Sequence, residues 1–304
     1  MKNKLTTASS LTLMLLASTA FAKTEVTTDY RYYDSDKSFH KGTAKVKSTF
    51  GDHTVFAHYG QVRDMDPDNH ILNSAGVGYV YFSDTLVAGG GIGSASDDLF
   101  ASPDVTDVFG FVGYTLYSKD LGKKNYPMPD GSTYTHTRKT RFILGVMGTT
   151  KPIYRTYVLP VIGFMYEGEK LRFSIGLPET RISFEPNEYH EFSLSYEDND
   201  NELKYTFKPI KTTKLSVMYS TDSESYAIQS DVEGKDRMNR KLHFYYREWF
   251  KVRIDQQLSK GIKGYVEYGH QLDGRYKYAK SFSKHRSTKL EDADMYRIGL
   301  SFEF

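Results

Sequence analysis

The sequence predicts an all-β fold, an antiparallel β-barrel that crosses a membrane, and three observations predict it. Apolar and polar residues alternate over strand-length stretches through residues 23–304. A strand turns successive side chains to opposite faces, so alternation means one apolar and one polar face. Beyond residue 22 no apolar run approaches the ~18 residues that a membrane helix needs. Residues 1–22 carry an export pattern, and an exported chain without membrane helices can enter a bilayer only as a closed sheet. Lipid offers no partner to an unpaired backbone N–H or C=O.

The amino-terminal segment comes first. Lys2 and Lys4 give a short positive region, and Leu11 to Ala17 form an apolar core of signal-peptide length. Ala20-Phe21-Ala22 fits the small-x-small cleavage pattern, so the expected organisation is a signal peptide at 1–22 and one barrel domain at 23–304. No cysteine follows the apolar core, which removes a lipoprotein reading. The chain has no cysteine at all, so neither a disulfide nor a thiolate metal site is possible.

Alternating segments then follow one another at 25–33, 43–50, 53–62, 72–82, 85–94, 106–117, 139–149, 154–166, 169–177, 180–185, 190–197, 202–208, 213–220, 240–257, 262–272 and 294–304. Short neighbours merge if a strand bends, as at Pro178, and bacterial single-chain barrels have an even count, so the expectation is about 14 strands (12–16). Short turns are expected at Phe50-Gly51-Asp52, Ser83-Asp84, Glu167-Gly168-Glu169, Pro209 to Thr212 and Ser259-Lys260-Gly261. Residues 118–137, with Gly122, Pro127, Pro129 and Gly131, read as a loop, and so does the polar stretch from Asp273 to Ala293. In 242–258, Glu248 falls on the apolar face. At the lipid midplane such a charge costs ~2–4 kcal/mol, so the residue is expected at an interface, at a bulge or beyond the lipid edge.

The last strand is the clearest. Tyr296, Ile298, Leu300, Phe302 and Phe304 occupy one face, and Arg297, Gly299, Ser301 and Glu303 the other. This ending resembles the closing strand of Gram-negative outer-membrane β-barrels, whose terminal aromatic is read by the barrel-assembly machinery. The resemblance implies an outer-membrane location, Phe304 as an assembly signal, and lipid and lipopolysaccharide as surroundings. The stretch from Leu159-Pro160-Val161-Ile162-Gly163 to Gly176-Leu177-Pro178-Glu179-Thr180-Arg181-Ile182-Ser183-Phe184 is similar to an uncharacterised outer-membrane barrel family, which implies a barrel and no established activity. Small oligosaccharide porins are a looser likeness, resting on size and a basic lumen.

Composition agrees with this class. There are 25 Tyr and 19 Phe against one Trp, which suits strands and interfacial girdles. The mean hydropathy of −0.55 fits a barrel, because only alternate residues face lipid. Removing Lys2 and Lys4 leaves 38 basic residues against 38 acidic, so bulk charge gives no reason to expect nucleic acid as a partner.

Function is sought on the polar face. Arg141, Arg172, Arg181, Arg247, Lys251, Arg253, Lys263 and Arg297 share that parity, as do Lys45, Lys47, Lys204 and Lys214. Acids of the same parity include Asp107, Glu191, Glu197, Glu202, Asp255, Glu267 and Glu303. Rings of charge set pore selectivity, so the first expectation is a channel for passive diffusion of small polar or anionic solutes, oligosaccharides among them. The alternative is mutual neutralisation in a non-conducting structural or surface-binding barrel. A rim hydrolase is the third reading. None of the nine histidines lies in a His-x-Ser-Asn-Gly lipase pattern, and no protease-like motif surrounds pairs such as His190-Glu191. No catalytic residue, cofactor or metal site is therefore assigned. The acidic stretches 64–69 and 198–201 read as solvated turns rather than calcium loops. Gly89 to Gly93 lacks the lysine-serine pair of a phosphate cradle and reads as a place of close strand approach. The basic stretch 275–289 reads equally as a solvated loop or as a contact for lipopolysaccharide phosphates.

Overall fold

The computed structural model describes residues 23–35, 38–63, 71–103, 105–127, 133–153, 156–177, 179–197, 200–227, 242–281 and 284–304. The expected signal segment 1–22, the acidic stretch 64–69 and Asp198-Asn199 lie outside them. The strands are β1 (Lys23–Asp34), β2 (Phe39–Phe50), β3 (His53–Arg63), β4 (Leu72–Phe82), β5 (Leu86–Ser96), β6 (Thr106–Pro127), β7 (Thr133–Ile153), β8 (Thr156–Glu167) and β9 (Leu171–Leu177). They continue as β10 (Glu179–Asn187), β11 (His190–Glu197), β12 (Asp200–Ile210), β13 (Thr213–Tyr226), β14 (Leu242–Ser259), β15 (Ile262–Ser281), β16 (Lys284–Lys289) and β17 (Asp294–Glu303).

From β1 to β16 sequence neighbours pair antiparallel, and β17 returns to β1 with Val26 opposite Phe302 and Tyr32 opposite Tyr296. The ring is closed. Both β16 and β17 bond to β15, one above the other, so the 17 segments make 16 staves. This corrects the expected count of about 14. β9 and β10 pair with each other, Arg181 opposite Ser174 and Phe184 opposite Leu171, so the segments flanking Pro178 are two strands and not one bent strand.

Two stretches expected as loops are strand. β6 and β7 pair out to Pro127 opposite Thr133. Bulges between Thr115 and Tyr117 and between Asp120 and Gly122 take up the irregular residues, with Gly122 at φ 104°. A bulge admits a left-handed glycine without ending a ladder, which is why the turn-type composition misled. Likewise β15 runs to Ser281 and is met by β16, where 273–293 reads as loop.

The rim that holds Lys23 and Phe304 has short turns at 51–52, 83–85, 168–170, 188–189, 211–212 and 260–261. Short turns mark the periplasmic rim. The β6–β7 hairpin is its exception. Thr115 N–H donates to Thr85 O in the rim turn (2.9 Å), so the rest of that hairpin projects beyond the rim.

The parity of β17 sorts every stave. Leu203, Val217, Val252, Ile254, Val266, Ile298 and their equivalents point outward and are exposed. Inside, the external half of the ring holds a packed apolar cluster of Tyr33, Phe39, Val62, Leu72, Tyr226, Tyr245, Trp249, Ala293 and Met295.

Candidate functional site

The inner wall is built by the polar parity of each strand, and its geometry separates two kinds of cation. Asp29 on β1 is the centre of the first. It accepts from Arg31 Nε at 2.9 Å and from Arg297 Nε and Nη2 at 3.1 Å, and Thr43 Oγ1 donates to it. Arg297 also reaches Glu267 (3.5 Å), which Arg253 approaches from β14 (3.7 Å). Arg253 donates to Asp255 through Nε (3.0 Å), and its guanidinium lies 3.6 Å from the centroid of the Tyr265 ring. These groups form one continuous network on β1, β14, β15 and β17. Arginine suits it, because the planar fork bonds carboxylates while its face stacks on an aromatic ring.

The other predicted selectivity residues are paired as well. Lys251 Nζ meets Asp222 at 3.0 Å, and Lys263 meets Glu303 at 3.6 Å. Arg172 pairs with Glu185 and Arg181 with Glu179. Arg141 lies at the periplasmic rim, 3.2 Å from Asp84 and over the Phe82 ring. Arg247 is buried among Tyr33, Phe39 and Tyr245, with its guanidinium 5.0 Å from the Phe39 centroid.

The second kind of cation is lysine. Lys45 and Lys47 on β2, Lys204 on β12 and Lys214 on β13 share the inward parity and make no ion pair among the described residues. Sequence reasoning found these residues but could not rank them above the arginines. Pattern held no signal for the difference: Glu25 lies opposite Lys47 and Asp255 opposite Lys214 in the register, yet neither couple closes to an ion pair.

On β3 to β6 the wall is thinned by glycine. A Cβ on Gly78 would lie 2.3 Å from the Phe56 ring, and one on Gly91 2.8 Å from the Phe109 ring. Both rings rest over bare backbone, so bulky aromatics cover the wall without projecting across the lumen. The Gly89–Gly93 stretch is thus a site of close approach, as its sequence suggests.

No family model and no curated protein matches the chain. Solved structures with which it aligns include the NanC porin, at 10% identity and TM-score 0.36 over 92% of this chain and 100% of that one. OpdK, an outer membrane protein of Pseudomonas aeruginosa, aligns at 9% and 0.32 over 93% and 98%. OmpT, an outer membrane protein of Vibrio cholerae, aligns at 11% and 0.31 over 93% and 97%. These superpositions are poor, and the assignment rests on the molecule's own exterior. Two aromatic girdles flank its outward apolar belt. Tyr30, Tyr32, Tyr268, Tyr296, Tyr219 and Tyr246 lie toward the external side, and Phe50, Tyr79, Tyr81, Tyr205 and Phe207 toward the periplasmic side. An apolar belt between two aromatic girdles is the surface a barrel presents to a bilayer.

The chain is an outer-membrane-type β-barrel.

Four of its histidines belong to those girdles. His40 meets the Tyr30 hydroxyl (2.6 Å), His53 that of Tyr79 (2.5 Å) and His190 that of Tyr205 (2.8 Å), while His270 meets Asp294 (2.8 Å). Glu248 is on the outer face, where the hydroxyls of Tyr219 and Tyr246 donate to it (3.0 and 3.1 Å), beside the bulge between Glu248 and Trp249. The bulge and the girdle resolve the charge on the apolar face.

At the periplasmic rim of the barrel, Asp84 anchors the base of the projecting hairpin through Lys139 and Arg141. The Lys139 ammonium holds the Asp84 carboxyl below the usual carboxylate range, with Arg141 adding to it. A lowered folded-state pKa stabilises above the unfolded value and is lost as pH falls through the folded one. Asp84→Asn is therefore expected to increase protease cleavage in 115–141 at pH 7 and to have no effect once pH lies below both values. Limited proteolysis at the two pH values checks this.

Proposed function

We propose that this barrel is a channel for passive diffusion of small polar solutes, with a preference for anions. The observation that carries the reading is the set Lys45, Lys47, Lys204 and Lys214, inward ammonium groups that close no ion pair with an acid among the described residues. A ring of 16 strands supports it, since that is the size at which barrels leave an aqueous channel. The arginine network supports a bracing role instead: its charges are spent on one another and stiffen the wall. Oligosaccharides are one solute class that a polar lumen with inward aromatics suits. The outer membrane is the compartment, with its lipid and lipopolysaccharide around the belt; the barrel-assembly machinery, reading Phe304, is the partner that would insert it.

A second reading is a non-conducting barrel, and the buried cluster around Trp249 favours it. Planar-bilayer recording of the refolded protein separates the two. Unitary steps, with a reversal potential showing anion preference under a salt gradient, are expected. A barrel that is intact by heat-modifiable migration and yet silent overturns the channel reading.

A further inference from the structure

β13 does not stop at the mouth. The end of β13 crosses it. β5 and β13 are eight staves apart in a ring of 16, which is diametrically opposite. Yet Ala227 N–H donates to Ala95 O at 2.9 Å, and Ser96 and Ala227 form a parallel bridge. β6 begins its pairing with β5 at Thr106 opposite Ser94, so the edge of β5 above that point is vacant, and Ala227 fills it. A hydrogen bond between opposite walls can be made only through the lumen.

Side chains fasten this crossing along its length. Glu224 on β13 pairs with Lys41 on β2, 183 residues away. Tyr226 donates to Glu224 at 3.0 Å. Tyr226, Tyr245 and Trp249 then pack on Tyr33 and Phe39, Val62, Leu72 and Met295, which come from β1, β2, β3, β4 and β17. Trp249 is 1% exposed and Leu72 0%. Everything on the arc that runs from β13 through β17 and β1 to β5 is filled at this level. Among the described residues, no side chain from β6 to β12 joins this cluster, and the Arg181 side chain on β10 is 67% exposed.

We propose that the inward tip of β13, Glu224 to Ala227, with the cluster it packs on, is a fixed partition that blocks one half of the external mouth and confines passage to the half lined by β6–β12. The proposal rests on the channel reading above. The tip is then the size-limiting element, and a solute meets Arg172, Arg181 and Lys204 while Arg247 stays out of its path. A packed apolar cluster with a half-buried ion pair beside it is a static joint, not a swinging lid.

The chain's lack of cysteine gives a clean test. Ser96→Cys with Ala227→Cys can form only one disulfide, and locking the tip should leave unitary conductance at the wild-type value. Glu224→Lys sets two like charges face to face at Lys41 and should release the tip. The sole tryptophan, Trp249, then becomes open to acrylamide quenching, and conductance should rise roughly twofold as the open cross-section doubles. Tyr226→Ala with Ala227→Pro, which removes the packed ring and the bridging N–H, is a second release variant should the first fail to fold.

Four results overturn the proposal. Conductance that collapses in the oxidised pair and returns on reduction means that the tip must move. Unchanged conductance in a variant whose Trp249 has become quenchable means that the tip does not limit passage. A silent wild type beside a conducting release variant means that the tip seals the whole mouth. Silence in both defeats the channel reading itself, and the partition with it.

Discussion

Asp29→Ala is expected to destabilise the barrel by about 3 kcal/mol, the lower end for breaking a buried ion pair from one side. The Asp29 side chain is 2% exposed and is shared by Arg31, Arg297 and Thr43. Removing it leaves two guanidinium groups facing each other across the β1–β17 seam, where Arg31 is directly opposite Arg297. The repulsion acts at the joint that closes the ring. Arg297→Ala should cost less, because Arg31 still satisfies Asp29. Asp29→Ala combined with Arg297→Leu should recover part of the loss, since the second change removes the stranded charge. Urea titration followed by Trp249 fluorescence and heat-modifiable migration measures all three. An Asp29→Ala midpoint equal to the wild type would show that the network contributes nothing at the seam.

The second large effect is electrical. Reversing Lys45, Lys47, Lys204 and Lys214 to glutamate should invert ion preference, changing the anion-to-cation permeability ratio on the order of tenfold, about 1.4 kcal/mol. These side chains face the lumen without ion pairs, so reversal breaks none of the described ones. The shift should be large at 0.1 M salt, where the Debye length is about 10 Å, and much smaller at 1 M, where it is about 3 Å. Reversing Arg247 and Arg253 is the opposite case. Arg253 is clamped by Asp255 and Glu267, and Arg247 is packed between rings, so those changes are expected to damage folding before they alter selectivity. Reversal potentials that ignore the four lysines at low salt would remove the basis for anion preference.

Alternation carried most of the architecture. The phase of Tyr296 to Phe304 assigned inner and outer faces correctly from one end of the ring to the other. The sixteen alternating segments correspond one to one with the staves; merging short neighbours, as across Pro178, is what lowered the count. What periodicity could not convey was where a strand stops. Gly122 and Pro127 look like loop residues until a bulge accommodates one and a hairpin end the other. Nor could it convey partnership across the ring. Parity puts Arg253 and Lys45 on the same face, but only the register shows that Arg253 sits opposite Glu267. The crossing of Ala227 to Ala95 left no local trace, because a contact between opposite staves depends on closure and not on pattern.

That closure also orders the folding of the chain. Every other neighbouring pair is local in sequence, joined by a turn or a short connection. The β1–β17 seam joins Glu25 to Glu303, 278 positions apart. Loop-closure entropy grows with the logarithm of length, so this pairing costs about 2 kcal/mol more than closing a 20-residue hairpin. The meander can assemble pair by pair while the seam waits. Until it forms, β1 and β17 each present a bare edge to lipid or to another chain. The vulnerable moment in the life of this molecule is therefore the last one, when Asp29 and Arg297 have yet to meet.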